Sequence, residues 1–258
     1  MLKLIFPAVL TVLGTAVFAQ SEKIETDRPD QTECPYIVPK KWIQLEAGFL
    51  KMTEKEIPGN NYHFHHPALL SKYGISKRLE LRIITELATS KEKTQPGKYI
   101  SKTGFSSLQL GGKLSLWEEK GLLPKTSLIA HYDACRLRSL EKENMNGANF
   151  RFTLQNSISN NISLGYNLGM RWNRFDDAPA YVYTFAPGFN LSEKWYAYIE
   201  LFGFAWKNDS PENSIDGGFA YNVTNNFKLD ISAGFGLTEK APGNYIAIGA
   251  SVRFKAVQ

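Results

Sequence analysis

The sequence predicts an all-β fold: an antiparallel transmembrane β-barrel of about twelve strands with an irregular N-terminal segment in or under its lumen. Three observations carry that prediction. Apolar residues alternate with small or polar ones through most of the chain, the alternating runs reach the roughly nine to eleven residues that a tilted membrane strand requires, and short connections alternate with long ones. A period of two sends successive side chains to opposite faces. In the run 245–254 it puts Ile246, Ile248, Ala250, Val252 and Phe254 on one face and Ala247, Gly249, Ser251 and Arg253 on the other. Such an apolar face meets either a second sheet in a soluble sandwich or hydrocarbon around a barrel. Sandwich strands are usually about five or six residues long, so the length of these runs favours the barrel.

Composition points the same way. Mean hydropathy is −0.28, as expected where lipid-facing and lumen-facing residues average out. Aromatic residues make up 13% of the 258 positions, and Tyr and Trp favour membrane interfaces. The formal net charge of +5 is too mild and too evenly spread to imply a nucleic-acid partner. Residues 1–19 read as an export signal: Lys3 is the positive start, 4–17 the apolar run, and Val17-Phe18-Ala19 a small-residue cleavage site that leaves Gln20 as the mature N-terminus. The run is shorter than the roughly 20 apolar residues of a membrane helix, and no later stretch approaches that length.

Residues 20–41 show no period and are rich in turn formers. Pro29, Pro35 and Pro39 exclude a central strand or a helix interior. This segment is expected to act as a plug whose charges, Asp27, Arg28, Asp30 and Glu33, satisfy one another and a polar lumen. The barrel then occupies 42–258. Strands are expected at 42–50, within 67–75, and at 79–88, 105–117, 126–137, 149–157, 162–172, 181–191, 194–206, 214–223, 227–237 and 245–254. With a periplasmic N-terminus, the periplasmic turns are 76–78, 159–161, 192–193 and 224–226, all short, with 118–125 a longer exception. The external loops are 53–66, 89–104, 138–148, 173–180, 207–213 and 239–244. An even strand count returns both termini to the periplasm.

The segment 24–35, the run Trp42-Ile43-Gln44-Leu45-Glu46-Ala47-Gly48-Phe49 and the run 73–82 carry a resemblance to a family. Thr26-Asp27-Arg28-Pro29-Asp30 is its most specific part, and the pattern extends over essentially the whole mature chain. It resembles the Gram-negative outer-membrane proteins grouped as transporters of the meta-pathway of phenol degradation. The resemblance implies an outer-membrane, channel-like barrel passing small solutes passively, hydrophobic or aromatic ones among them. The alternative is a closed structural or accessory barrel that binds partner outer-membrane proteins. Lipid is a partner under either reading.

Parity places Glu46, Glu80, Arg82, Glu86, Lys113, His131, Asp133, Arg151, Arg171, Glu200, Asp216, Lys228, Asp230 and Arg253 on the lumen side. Acids and bases are nearly balanced, as expected for ion pairs filling a narrow interior; the same groups would select solutes along a polar path. Tyr196, Tyr198, Phe202 and Phe204 share the face of Glu200, which is ill suited to lipid. Trp42, Trp117, Trp172, Tyr181, Trp195 and Trp206 fall near strand ends, where interface girdles lie. His63, His65 and His66 fall in the first external loop, where solvated histidines are commoner than metal ligands, so no metal is assigned. His131, Asp133 and Cys135 alternate on one strand, but neighbours two apart are nearly 7 Å apart, too far for a nucleophile–base pair. No Gly-x-Ser-x-Gly elbow or phosphate loop occurs, and the expectation is a non-enzyme without cofactor. Cys34 and Cys135 either pair in the oxidising compartment or remain separate thiols.

Overall fold

The computed structural model describes residues 23–56, 59–95, 97–136, 147–173 and 178–256. The export signal at 1–19 lies outside the described residues, as does most of the external loop at 138–148. Twelve strands follow one another: β1 (Trp42–Glu56), β2 (Gly59–Gly74), β3 (Leu79–Gln95), β4 (Lys98–Trp117), β5 (Lys125–Arg136), β6 (Gly147–Ser157), β7 (Ile162–Asn173), β8 (Ala180–Asn190), β9 (Trp195–Ala205), β10 (Glu212–Thr224), β11 (Phe227–Gly236) and β12 (Asn244–Lys255). Each pairs antiparallel with its neighbours in sequence, and β12 closes on β1 from Trp42↔Lys255 to Thr53↔Asn244. Closure removes the exposed edge that an open sheet would present.

Burial is inverted relative to a water-soluble protein. On β3, Leu81 is 49% and Ile83 45% exposed outward, while Glu80 and Arg82 are 0% and 1% exposed inward. The same alternation holds for Ile246 and Ile248 against Ala247 on β12, and for Leu229 and Ile231 against Asp230 and Ser232 on β11. A continuous apolar exterior around a charged interior is stable only where hydrocarbon covers the outside. The fold is therefore that of a membrane barrel.

Four strands depart from the sequence expectation. Of the stretches 53–66 and 89–104, read as external loops, residues 53–56, 59–66, 89–95 and 98–104 are instead the upper parts of β1 to β4, which run 15, 16, 17 and 20 residues. They rise as paired ribbons beyond the roughly nine to eleven residues needed to cross a membrane. His63, His65 and His66 consequently belong to β2 rather than to a loop. Irregularities in register interrupt the ribbons: β1 and β2 pair Gly48↔Ala68 and next Leu50↔His65, β3 and β4 shift between Glu86 and Leu87, and β4 and β5 shift between Leu108 and Gln109. An extra residue re-aims the strand and flips which parity faces inward. At the opposite end the connections are short, apart from 118–124, which is closed by a Lys120↔Leu123 bridge and tied to β6 where Glu119 accepts from the Ser157 N–H and hydroxyl.

Candidate functional site

Residues 23–41 enter the lumen at the short-turn end, where the Ile24 N–H donates to Asn225 O at 2.8 Å, and leave at the same end, where the Lys41 N–H donates to Gly74 O at 2.8 Å. This stretch has no ladder, so its backbone donors need partners elsewhere. The barrel wall supplies them. Asp27 N–H donates to Glu46 (3.0 Å), Gln31 N–H to Glu200 (2.7 Å), Glu33 N–H to the Asn167 amide oxygen (2.8 Å) and Val38 N–H to Glu80 (2.8 Å). Carboxylates buried in the wall thus serve as acceptors for an irregular backbone.

Asp27 is the hub. Its carboxylate accepts from Lys72 (2.7 Å), Arg82 (2.8 Å), Lys113 (3.0 Å) and the Cys34 N–H (2.9 Å). Three buried cations from β2, β3 and β4 converge on one anion, and further acids complete the balance: Glu46 holds Lys72, while Glu33 and Glu80 hold Arg82 at 2.6 and 3.2 Å. Across the lumen Arg28 grips Asp230 with two nitrogens, at 2.9 and 3.3 Å. Thr32 donates to Glu200 at 2.5 Å and touches the Thr184 hydroxyl at 2.6 Å, and Ser127 donates to Pro35 O at 2.6 Å.

Two glycines make room for this arrangement. Gly48 and Gly249 face each other across β1 and β12. A Cβ on Gly48 would lie 2.2 Å from Arg28 Nη1, and one on Gly249 2.3 Å from Arg28 Nε. Gly249→Val is expected to push Arg28 off Asp230, removing a charge-assisted contact of roughly 1.5–3 kcal/mol. Limited proteolysis should then cut within 23–41 while the barrel stays intact; protection equal to the parent's would show that this slot does not hold the segment.

The remaining residues singled out by sequence fall into two tiers. Near the plug, Arg151 reaches Gln31 O at 3.3 Å, and His131 accepts from Arg82 Nε at 3.1 Å through Nε2, which fixes that nitrogen as unprotonated. Asp30 lines a cavity beside the plug and forms no ion pair among the described residues. Arg253 sits at the short-turn rim, bonded to Asn226 and stacked 5.3 Å from the Trp42 ring centre. That contact turns Trp42 toward the rim of the lumen rather than into an outer girdle. Farther along the barrel, Arg171 lies 4.5 Å from the Phe204 ring centre, Glu86 bonds His65 at 2.9 Å and accepts from Ser106 at 2.6 Å, and Asp216 accepts from Tyr198 at 3.4 Å and from Tyr245. Cys34 is a free thiol, and the side chain of Cys135 lies outside the described residues. Parity puts Gln44 and Asn167 on the lumen side without giving either a role, and it assigns no face to Lys72 or Thr184.

The plug does not fill the cross-section. Between it and β6 to β11 lies a cavity of ≈ 250 Å³, lined inside by Asp30, Thr32, Gly165, Ala186 and Tyr196 and reaching the short-turn rim at Ser159, Asn160 and Glu193.

Residues 26–254 match the model of the family described as putative MetA-pathway of phenol degradation. The chain belongs to that family. Among solved structures, the COG4313 outer membrane channel from Pseudomonas putida F1 superposes with a TM-score of 0.64 at 12% identity, covering 88% of this chain and 99% of that one. The NanC porin (TM-score 0.54, 7% identity, 81% and 98% covered) and the KdgM porin (0.51, 10%, 82% and 99%) have the same barrel. At these identities the likeness is one of fold, and the fold is that of outer-membrane channels and porins. A search by sequence among curated proteins found no match.

Proposed function

We propose that the mature chain, cut after residue 19, is an outer-membrane channel for passive passage of small solutes, single-ring aromatic compounds foremost, with 23–41 as a fixed plug that sets the size limit. The observation that carries this reading is the side cavity. Its ≈ 250 Å³ is enough for one ring, since an apolar cavity of about 150 Å³ holds benzene, and too small for an oligosaccharide. Its walls are mainly polar, with Asp30, Thr32, Gln155 and Asn190 among the groups that can bond a hydroxyl, and Tyr196, Ala186 and Gly165 supply the smaller apolar part on which a ring would rest. Toward the long-strand end the wall of β9 continues with Tyr198, Phe202 and Phe204 on the lumen parity, so a ring meets aromatic surface before it reaches the plug. The family's description, phenol degradation, fits the same solute class.

Swelling of proteoliposomes containing the mature chain tests it. Benzoate is expected to enter and a disaccharide to be excluded. Ala186→Phe, which fills the cavity from β8, is expected to bring benzoate entry down to the vesicle background without altering barrel assembly. Benzoate exclusion by the parent, or entry unaffected by the filled cavity, would overturn the proposal. The density of plug contacts favours one other reading, a closed barrel serving partner proteins, and silence toward every solute would favour it.

A further inference from the structure

Where β1 to β3 rise above the apolar band, their outward positions change character. Lys51 on β1, Tyr62 and Phe64 on β2, and Lys91 and Lys93 on β3 share the outer surface, in a register that pairs Lys51 with Phe64 and Tyr62 with Lys91. The acids of these same strands point the other way: Glu54 bonds His63 at 3.1 Å and Glu86 bonds His65 at 2.9 Å on the lumen side. Lys51 Nζ is held 5.7 Å from the Tyr62 ring centre and Lys91 Nζ 5.3 Å from that of Phe64. Neither lysine forms an ion pair among the described residues. Directly below, the bulge at His66 and Pro67 leaves an open dent of ≈ 550 Å³ in the outer wall, floored by Phe49, Ile246 and Ile248 and rimmed by Lys51, Lys91 and His66.

We propose that this face binds a phosphorylated lipid of the outer leaflet, with its phosphates on Lys51 and Lys91 and one acyl chain in the dent. Cations and aromatic rings at the edge of an apolar band are the arrangement that anionic headgroups recognise. The dent adds what a free anion would not need, a greasy slot continuous with the lipid-facing wall. The segregation of charge adds specificity, because carboxylates on the same face would repel phosphate and here they lie in the lumen. The proposal rests on placement in the outer membrane and is independent of whether the lumen conducts.

Native mass spectrometry of the full mature chain in detergent tests it. The probes are bis-phosphorylated lipid A, the same acylated sugar without phosphates, and inorganic pyrophosphate. Lipid A is expected to be retained and the other two not. The double variant Lys51→Gln/Lys91→Gln should weaken retention by at least about tenfold, given that each lysine near an anionic surface contributes about fivefold. Lys51→Arg/Lys91→Arg should keep it, and Lys240→Gln, in a distant loop ion pair, should change nothing. The proposal is overturned by equal retention in the Gln double variant, by equal retention of the phosphate-free lipid, by pyrophosphate binding as well as lipid A, or by lipid-independent self-association that the Gln variant abolishes. Heat-modifiable gel mobility reports whether each variant remains a folded barrel, and loss in the Gln variant that the Arg variant shares would count against the proposal.

Discussion

Asp27→Asn is expected to release the plug. The substitution removes the anion on which Lys72, Arg82 and Lys113 converge, but the three cations are not equally harmed. Lys72 keeps Glu46, and Arg82 keeps Glu33 and Glu80. Lys113, 0% exposed at its side chain, pairs with no other carboxylate among the described residues and is left with the carbonyls of Cys34 and Tyr36 at 2.8 and 3.3 Å. Leaving a buried charge without its partner costs roughly 3–5 kcal/mol, and that cost falls on the docked state because an undocked segment lets water reach Lys113. The barrel ladder does not pass through Asp27, so closure should persist. Hydrogen exchange should show loss of protection at 23–41 with the strands unchanged, and planar-bilayer conductance should rise. Adding Lys113→Met removes the stranded charge along with its partner and should restore much of the docking, since replacing both members of a buried pair is often close to neutral. Unchanged exchange in the single variant would mean that Asp27 does not anchor the plug.

The sequence made the barrel legible wherever hydrocarbon touches one face only. β7, β11 and β12 alternate cleanly because Leu168, Ile231 and Ile248 need lipid while Asn167, Asp230 and Ala247 need the interior. The upper halves of β1 to β4 escaped the same test for a physical reason: above the membrane both faces meet polar surroundings, so hydropathy loses its period. What survives there is a period in charge, lysines outward at 51, 91 and 93 and glutamates inward at 54 and 92. Lys72 was missed because the bulge at His66 and Pro67 flips the faces of β2, turning Tyr62 and Phe64 outward at even numbers but Tyr73 at an odd one. The plug network was half legible. Charges in an aperiodic, Pro-rich segment announce a need for partners, but nothing in a one-dimensional pattern says that Glu46, Glu80 and Glu200 accept backbone N–H groups, or that Asn167 and Thr184 join them. Every barrel has many small polar residues inside, and only the path of residues 23–41 selects among them.

Ile231→Arg is expected to be the most damaging change on the outer surface. Ile231 lies midway along β11, paired with Phe219 on β10 and Ile248 on β12, and all three are about half exposed on the face where Leu229 and Ile199 continue the apolar band. An arginine at that depth must carry its charge into hydrocarbon at a cost of roughly 2–4 kcal/mol, falling to about 0–1 kcal/mol near the interface. Leu237, beyond the end of β11 and 51% exposed, supplies the comparison. Were the outer surface wetted, or covered by a soluble partner, equally exposed positions would respond alike and depth would not matter. Refolding into lipid vesicles, followed by urea titration, should therefore separate Ile231→Arg from Leu237→Arg by at least about 1–2 kcal/mol. Equal tolerance would place water, not lipid, against this wall, and with it would fall the outer-membrane setting on which both the channel and the lipid face depend.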